Sequence, residues 1–164
     1  MSAQRLIFKH DQWRKGTGGA AAGVVGESDA NAYTGLDLNL VTFSASTFSG
    51  SSFSSTTFVD ASWTGCQFSN CTFSHCDLRR ISVSGCTFIG CTFSDSQLAQ
   101  CRFNNCSLTD CTWDQLNFDH GRWSGLEILS CAGSDITADG LIGKRVDFTG
   151  SWFRNMQLTN ACIN

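Results

Sequence analysis

The sequence contains no proline, and only 15% of its 164 residues are charged. It has no excess of positive charge: 11 Lys and Arg stand against 14 Asp and Glu, for a formal net charge of −3. That excludes direct nucleic-acid binding through a basic surface, because no positive excess exists to release counterions. No apolar run reaches the roughly 20 residues of a membrane span. The N-terminal stretch Arg5-Leu6-Ile7-Phe8-Lys9-His10-Asp11 lacks an apolar core of signal-peptide length. Ala20-Ala21-Ala22-Gly23-Val24-Val25 is too short and too late to serve as one. We therefore expect a cytoplasmic chain, unless a specialised machine exports it. The length suits one domain with a real core.

What the sequence does have is a period of five. From Leu38 the positions Phe43, Phe48, Phe53, Phe58, Trp63, Phe68, Phe73, Leu78, Val83, Phe88, Phe93, Leu98, Phe103, Leu108, Trp113, Phe118, Trp123 and Ile128 complete nineteen large apolar residues in one phase. Phe148, Phe153, Leu158 and Ile163 resume that phase after a gap. Two positions earlier in each unit sits a small or thiol-bearing residue, among them Ser46, Ser51, Thr56, Ala61, Cys66, Cys71, Cys86, Cys91, Cys106, Cys111 and Cys131. The other three positions are mostly polar. Residues five apart share no face of a helix and point to opposite sides of a straight strand. The chain must therefore turn a corner in every unit, with the large residue and its small companion facing inward.

This pattern resembles that of the pentapeptide-repeat proteins over residues 36–164. The resemblance implies an all-β fold: a right-handed quadrilateral parallel β-helix, a solenoid with four pentapeptides per coil. Columns then run at every twentieth residue. Phe48, Phe68, Phe88 and Leu108 would stack on one side, and Phe53, Phe73, Phe93 and Trp113 on the next. Trp63 would lie over the smaller Val83, which keeps the core dense. About six and a half coils would make a rod roughly 30 Å long.

The ten cysteines fall mostly in the inward companion slot, with Cys66, Cys86 and Cys106 in one column and Cys71, Cys91, Cys111 and Cys131 in another. Repeated sulfurs suit soft metals, but paired zinc knuckles are missing and the spacing is only that of the repeat. Free cysteine packs as a small hydrophobe, so we read these as core thiols and expect no cofactor and no metal.

Residues 1–35 lie outside the repeat. We expect an N-terminal cap, in which Phe8 and Trp13 cover the first coil, followed by a flexible Gly16-Thr17-Gly18-Gly19 joint. At Gly133, Ala138 and Gly143 small residues replace the large ones, so either one coil is underfilled or the chain bulges. The segment 132–145 is the candidate protruding loop, carrying Asp135, Asp139, Lys144 and Arg145. Trp152, Phe153, Met156, Leu158 and Ile163 would form an apolar end on the last coil, suited to a protein partner or to a homodimer through that coil.

His10, His75 and His120 are too scattered for a catalytic constellation, and no carboxylate pair or Ser-His-Asp order stands out. We expect no enzyme. A protein–protein interaction or scaffold module fits the polar faces best; the resemblance adds the thought of an adaptor or effector-associated protein of a bacterial secretion system. It also allows a DNA mimic that modulates a topoisomerase such as gyrase. Mimicry needs a dense acidic surface, yet the repeat region has eleven acids against seven bases.

Overall fold

A computed structural model describes residues 2–164. One helix, Ala3–Lys15, is followed by short parallel strands wound into a solenoid of about 7 four-sided turns. Each strand pairs with those one coil above and below. From Ala32 onward the register advances by 20 residues: Phe48 lies beside Phe68, Phe68 beside Phe88, and Phe88 beside Leu108. Trp63 lies beside Val83, and Phe53, Phe73, Phe93 and Trp113 form the adjoining column.

The corners explain the composition. Every fifth residue from Gly35 to Asn160 has a positive φ. Proline, with φ fixed near −65°, cannot occupy such a corner. Between corners the backbone N–H groups alternate in direction. That of Gly65 donates to Ser84 on one neighbouring coil, and that of Gln67 to Ser46 on the other. A proline there would delete a donor from the ladder. Once per coil the corner tightens further, as where the Ile81 N–H donates to the Leu78 carbonyl at 3.2 Å. The polar Asn, Asp and Ser residues at many corners tolerate this left-handed backbone better than branched residues do.

Inside, the rings stack face to face along the axis. Phe48 and Phe68 are 4.9 Å apart with planes 7° from parallel, and Phe68 and Phe88 are 4.8 Å apart at 5°. Phe73 and Phe93 repeat the arrangement at 4.9 Å. The companion slot has its own chemistry. The thiols of Cys71, Cys91 and Cys111 donate to the carbonyls of Phe48, Phe68 and Phe88 at 3.2–3.4 Å. Cysteine is thus small enough for the slot and gives a spare carbonyl lone pair a weak donor.

The solenoid starts before residue 36. Gly23–Val25, Ser28–Asp29 and Ala32–Thr34 already pair with the next coil. Gly23 and Ser28 align with Thr42 and Thr47, whereas Ala32 aligns with Ser52, so one residue is missing between the second and third sides. That slip breaks the period and hides this coil from a count in fives.

The helix caps this coil, but not with the residues expected. Ala3, Ile7 and His10 are buried, while Phe8 and Trp13 each stay 41% exposed. Phe8 leans on Tyr33 and Trp13 on His10. His10 accepts the Ala22 N–H at Nδ1 (3.0 Å) and its Nε2 lies 2.7 Å from the Asn39 carbonyl oxygen, so it bridges helix and coil. Asp11 accepts the Asp37 N–H at 2.7 Å and pairs with Lys15. The Gly16–Gly19 stretch is no loose joint either. Gly16 ends the helix in a left-handed conformation, and the Thr17 and Ala20 N–H groups bond back to Gln12 and Lys9.

Nor does the chain protrude at 132–145. Ala132–Asp139 and Ile142–Asp147 run in unbroken register with the coils on both sides. The coil is underfilled, and its neighbours fill it. Trp113 and Phe153 flank Gly133 in one column, yet their rings meet at 5.4 Å across it.

Candidate interaction surface

The interior offers no site. The core aromatics are 0–5% exposed, and a void of about 10 Å³ among Phe93, Phe103, Trp113 and Phe118 barely equals one water. All ten cysteines are free; nine are buried and Cys162 is exposed. Burial pushes the Cys76 thiol up to about 11 and the Cys101 thiol up to about 12. These two thiols stay protonated and shielded at neutral pH, which suits packing rather than reaction. Among the described residues no group of three or more His, Cys, Asp or Glu could hold a metal ion. No helix there is long and apolar enough to cross a membrane.

The features open to solvent lie on the sides of the rod and at the last coil. At the last coil Phe148, Phe153, Met156, Leu158 and Ile163 pack on the core with one side only and stay half-buried. Trp152 points outward from the same coil and is 64% exposed, among the most exposed large apolar residues of the chain. The five residues expected to form an apolar end do lie together on this coil.

The four charged residues of the expected loop are dispersed over the regular coils instead. Asp135 and Arg145 stand at corners, where Asp135 accepts from Asn155 at 2.6 Å and Arg145 donates to Ser124 at 3.0 Å. Asp139 accepts from Asn160 at 3.0 Å, and Lys144 is exposed on another side. The histidines follow the same logic: His75 and His120 are exposed corners with positive φ, while His10 belongs to the cap.

Two features carried no signal in the period of five. The first is a buried carboxylate. Asp29 is 6% exposed and takes the inward place beside Phe48. It accepts from the Tyr33 hydroxyl at 2.5 Å, from Ser51 at 2.6 Å, and from the side chain and N–H of Asn31. Burial, then the bond to Asp29, drives the Tyr33 hydroxyl far above the usual tyrosine range. The second is an open groove of about 610 Å³ on the side of the rod, lined by Asp60, Arg80, Ser82, Gln100, Arg102, His120 and Arg122. Reading the outward positions in columns of twenty brings Arg102 and Arg122 together, with Arg80 in the neighbouring column.

The structure thus defines a four-sided β-helix built from five-residue units. Two sequence models of pentapeptide repeats match it, one (9 copies) at residues 64–122 and one (8 copies) at 37–74, together just over half the chain. The chain belongs to the pentapeptide-repeat family. Among solved structures it is similar to QnrB1, a plasmid-mediated fluoroquinolone resistance protein, in a trypsin-treated form: 14% identity, 88% of this chain and 90% of that one, TM-score 0.48. It is also similar to HetL from Nostoc sp. strain PCC 7120, a protein involved in heterocyst differentiation regulation: 14% identity, 99% and 94% coverage, TM-score 0.38. No curated protein matches it in sequence.

Proposed function

We propose that the chain is a non-catalytic interaction module that docks through its last coil, and that the partner there is a second copy of itself. The observation carrying this reading is the half-covered row Phe148, Phe153, Leu158 and Ile163 beside the exposed Trp152. Apolar side chains left in this state gain by burial, at roughly 25 cal/mol per Å². The covering surface must match a four-sided cross-section and offer its own apolar row. A second copy related by a two-fold axis does both, since an isologous contact presents the same patch twice.

The filled interior and the scattered histidines support the absence of catalysis. A role as a secretion adaptor is compatible with the same end but has no residue of its own to support it. DNA mimicry is the weaker reading. Besides the low acid count, one side of the rod carries Arg80, Arg102 and Arg122 together, where a mimic needs continuous negative charge.

Light scattering on the purified chain tests the docking reading. The expected result is a dimer at micromolar concentration that Phe153→Asp or Ile163→Asp converts to a monomer, while the far-UV circular dichroism of the upstream coils is unchanged. A wild-type chain that stays monomeric at concentrations far above micromolar overturns it.

A further inference from the structure

The groove around Arg102 and Arg122 is the least expected feature of the surface. These residues occupy the same outward position on adjacent coils and lie directly side by side in the ladder. Backbones there are about 4.8 Å apart, and like charges placed opposite each other destabilise a sheet. Elsewhere the surface compensates such placements. Arg80 donates to Asp60 one coil away at 2.9 Å, and His75 faces Asp95 at 3.8 Å. Two acidic pairs also stand in register, Asp119 with Asp139 and Glu127 with Asp147. In the first, Asp119 accepts the Asp139 N–H; in the second, Asp147 accepts the Thr149 N–H. Among the described residues, neither the Arg102 nor the Arg122 guanidinium forms an ion pair. Both side chains are exposed.

We propose that this groove binds a phosphate monoester. Three arginines against Asp60 leave it a formal charge of +2 in a chain whose total is −3. A monoester carries about −1.5 to −2 at neutral pH, so one such group neutralises the site. Its shape fits as well. A carboxylate presents one pair of oxygens to one guanidinium fork, whereas the three oxygens and higher charge of a phosphoryl group can engage two forks rooted one coil apart. The Ser82 hydroxyl and the Gln100 amide, which line the same groove, supply neutral donors for the remaining lone pairs. A nucleic-acid backbone is a poorer match. Its charges recur at about 1.7 Å of duplex, but the cationic stretch covers only three coils, about 10 Å. This site stands apart from the last coil and does not depend on what that coil docks against.

The test is titration of the full, isotope-labelled chain, following the side-chain Nε–Hε resonances of Arg102 and Arg122. The probes are inorganic phosphate, a phosphoserine hexapeptide, the same peptide with Glu at that position, and a short DNA duplex. Phosphate and the phosphopeptide are expected to shift both arginine signals in a saturable way, with the Glu peptide at least about fivefold weaker. Equal affinity for phosphate and phosphopeptide assigns the site to small phosphate monoesters; tighter phosphopeptide binding assigns it to a modified partner. Arg102→Gln and Arg122→Gln should each weaken binding about fivefold, and R102Q/R122Q, which lacks both reporter signals and is followed by calorimetric titration, should abolish it without lowering the melting temperature. Three results overturn the proposal: no saturable shift in tens of millimolar phosphate, undiminished binding by R102Q/R122Q, or tighter binding of the duplex than of the phosphopeptide.

Discussion

Replacing Phe68 with Ala probes whether the ring columns hold the coils together. Phe68 is fully buried, stacked between Phe48 at 4.9 Å and Phe88 at 4.8 Å, and edged by Trp63 and Phe73 at 4.9 and 5.9 Å. Truncation forfeits about 2 kcal/mol of transfer free energy. The void left behind, on the order of 100 Å³, adds about 2.4 kcal/mol at 24 cal/mol per Å³ if the surroundings do not relax. They have little freedom to do so, because ladder hydrogen bonds on both sides fix the coil spacing. The expected cost is therefore about 4 kcal/mol. Phe153→Ala removes the same atoms at the last coil, where the ring is only half-buried and leans on Trp113 at 5.4 Å. Measured in the monomeric Ile163→Asp background, its cost should be about 1–1.5 kcal/mol, because there the ring is already partly in water and a terminal coil can fray alone. Urea unfolding followed by far-UV circular dichroism compares the two. A Phe68→Ala cost below about 2 kcal/mol, or one equal to that of Phe153→Ala, would refute the stacked core as the source of stability.

Two further outcomes follow from single residues. Leu40 has φ 69° and is 49% exposed, at a corner where a branched side chain meets its own backbone, so Leu40→Gly should raise unfolding stability by about 0.5–1 kcal/mol despite the added chain entropy. A drop in the urea midpoint would show that Leu40 packs more than its exposure suggests. Ellman's reagent should titrate one thiol in the native protein, Cys162, and all ten in denaturant. Rapid reaction of several native thiols would mean that the column cysteines are not sealed in.

Much of the fold is legible in the sequence because one rule, a large residue every fifth place, repeats often enough to exclude helix and straight strand alike. The twenty-residue columns then follow from the resemblance, and the ladder reproduces them residue by residue from Phe43 to Ile163. The rule fails where its unit changes length. Asp29 occupies a core place, but it is polar and stands four residues before Tyr33 rather than five, so a count in fives steps past the first coil. Only the hydrogen bonds from Tyr33, Ser51 and Asn31 make a carboxylate tolerable there, and no single-residue preference signals a network of that kind. The cap is obscured for a different reason. A helix with Phe8 and Trp13 on its surface looks as if those rings should do the covering, but Ile7 and His10 face the coil.

The segment around Gly133 shows why the loop expectation fails and where function is better sought. Scored one unit at a time, Gly133, Ala138 and Gly143 look like a lost coil. Along the columns they lie between large neighbours: Trp113 and Phe153, then Leu158 beside Ala138, then Trp123 and Ile163. A Cβ on Gly133 would lie 1.7 Å from the Trp113 carbonyl oxygen, so the backbone has drawn into the space that a side chain would need. Core volume in this solenoid is thus balanced between coils rather than within each unit, and a small residue need not mark an excursion of the chain. The same change of axis applies to the outside. Read along the chain, Arg102 and Arg122 are two isolated cations among Ser, Asn and Gln; read along the column, they are adjacent and uncompensated. In a fold whose neighbours lie twenty residues apart, charge and volume both have to be read across the coils, and that reading turns a polar surface into one with a cationic groove on its side and an apolar last coil.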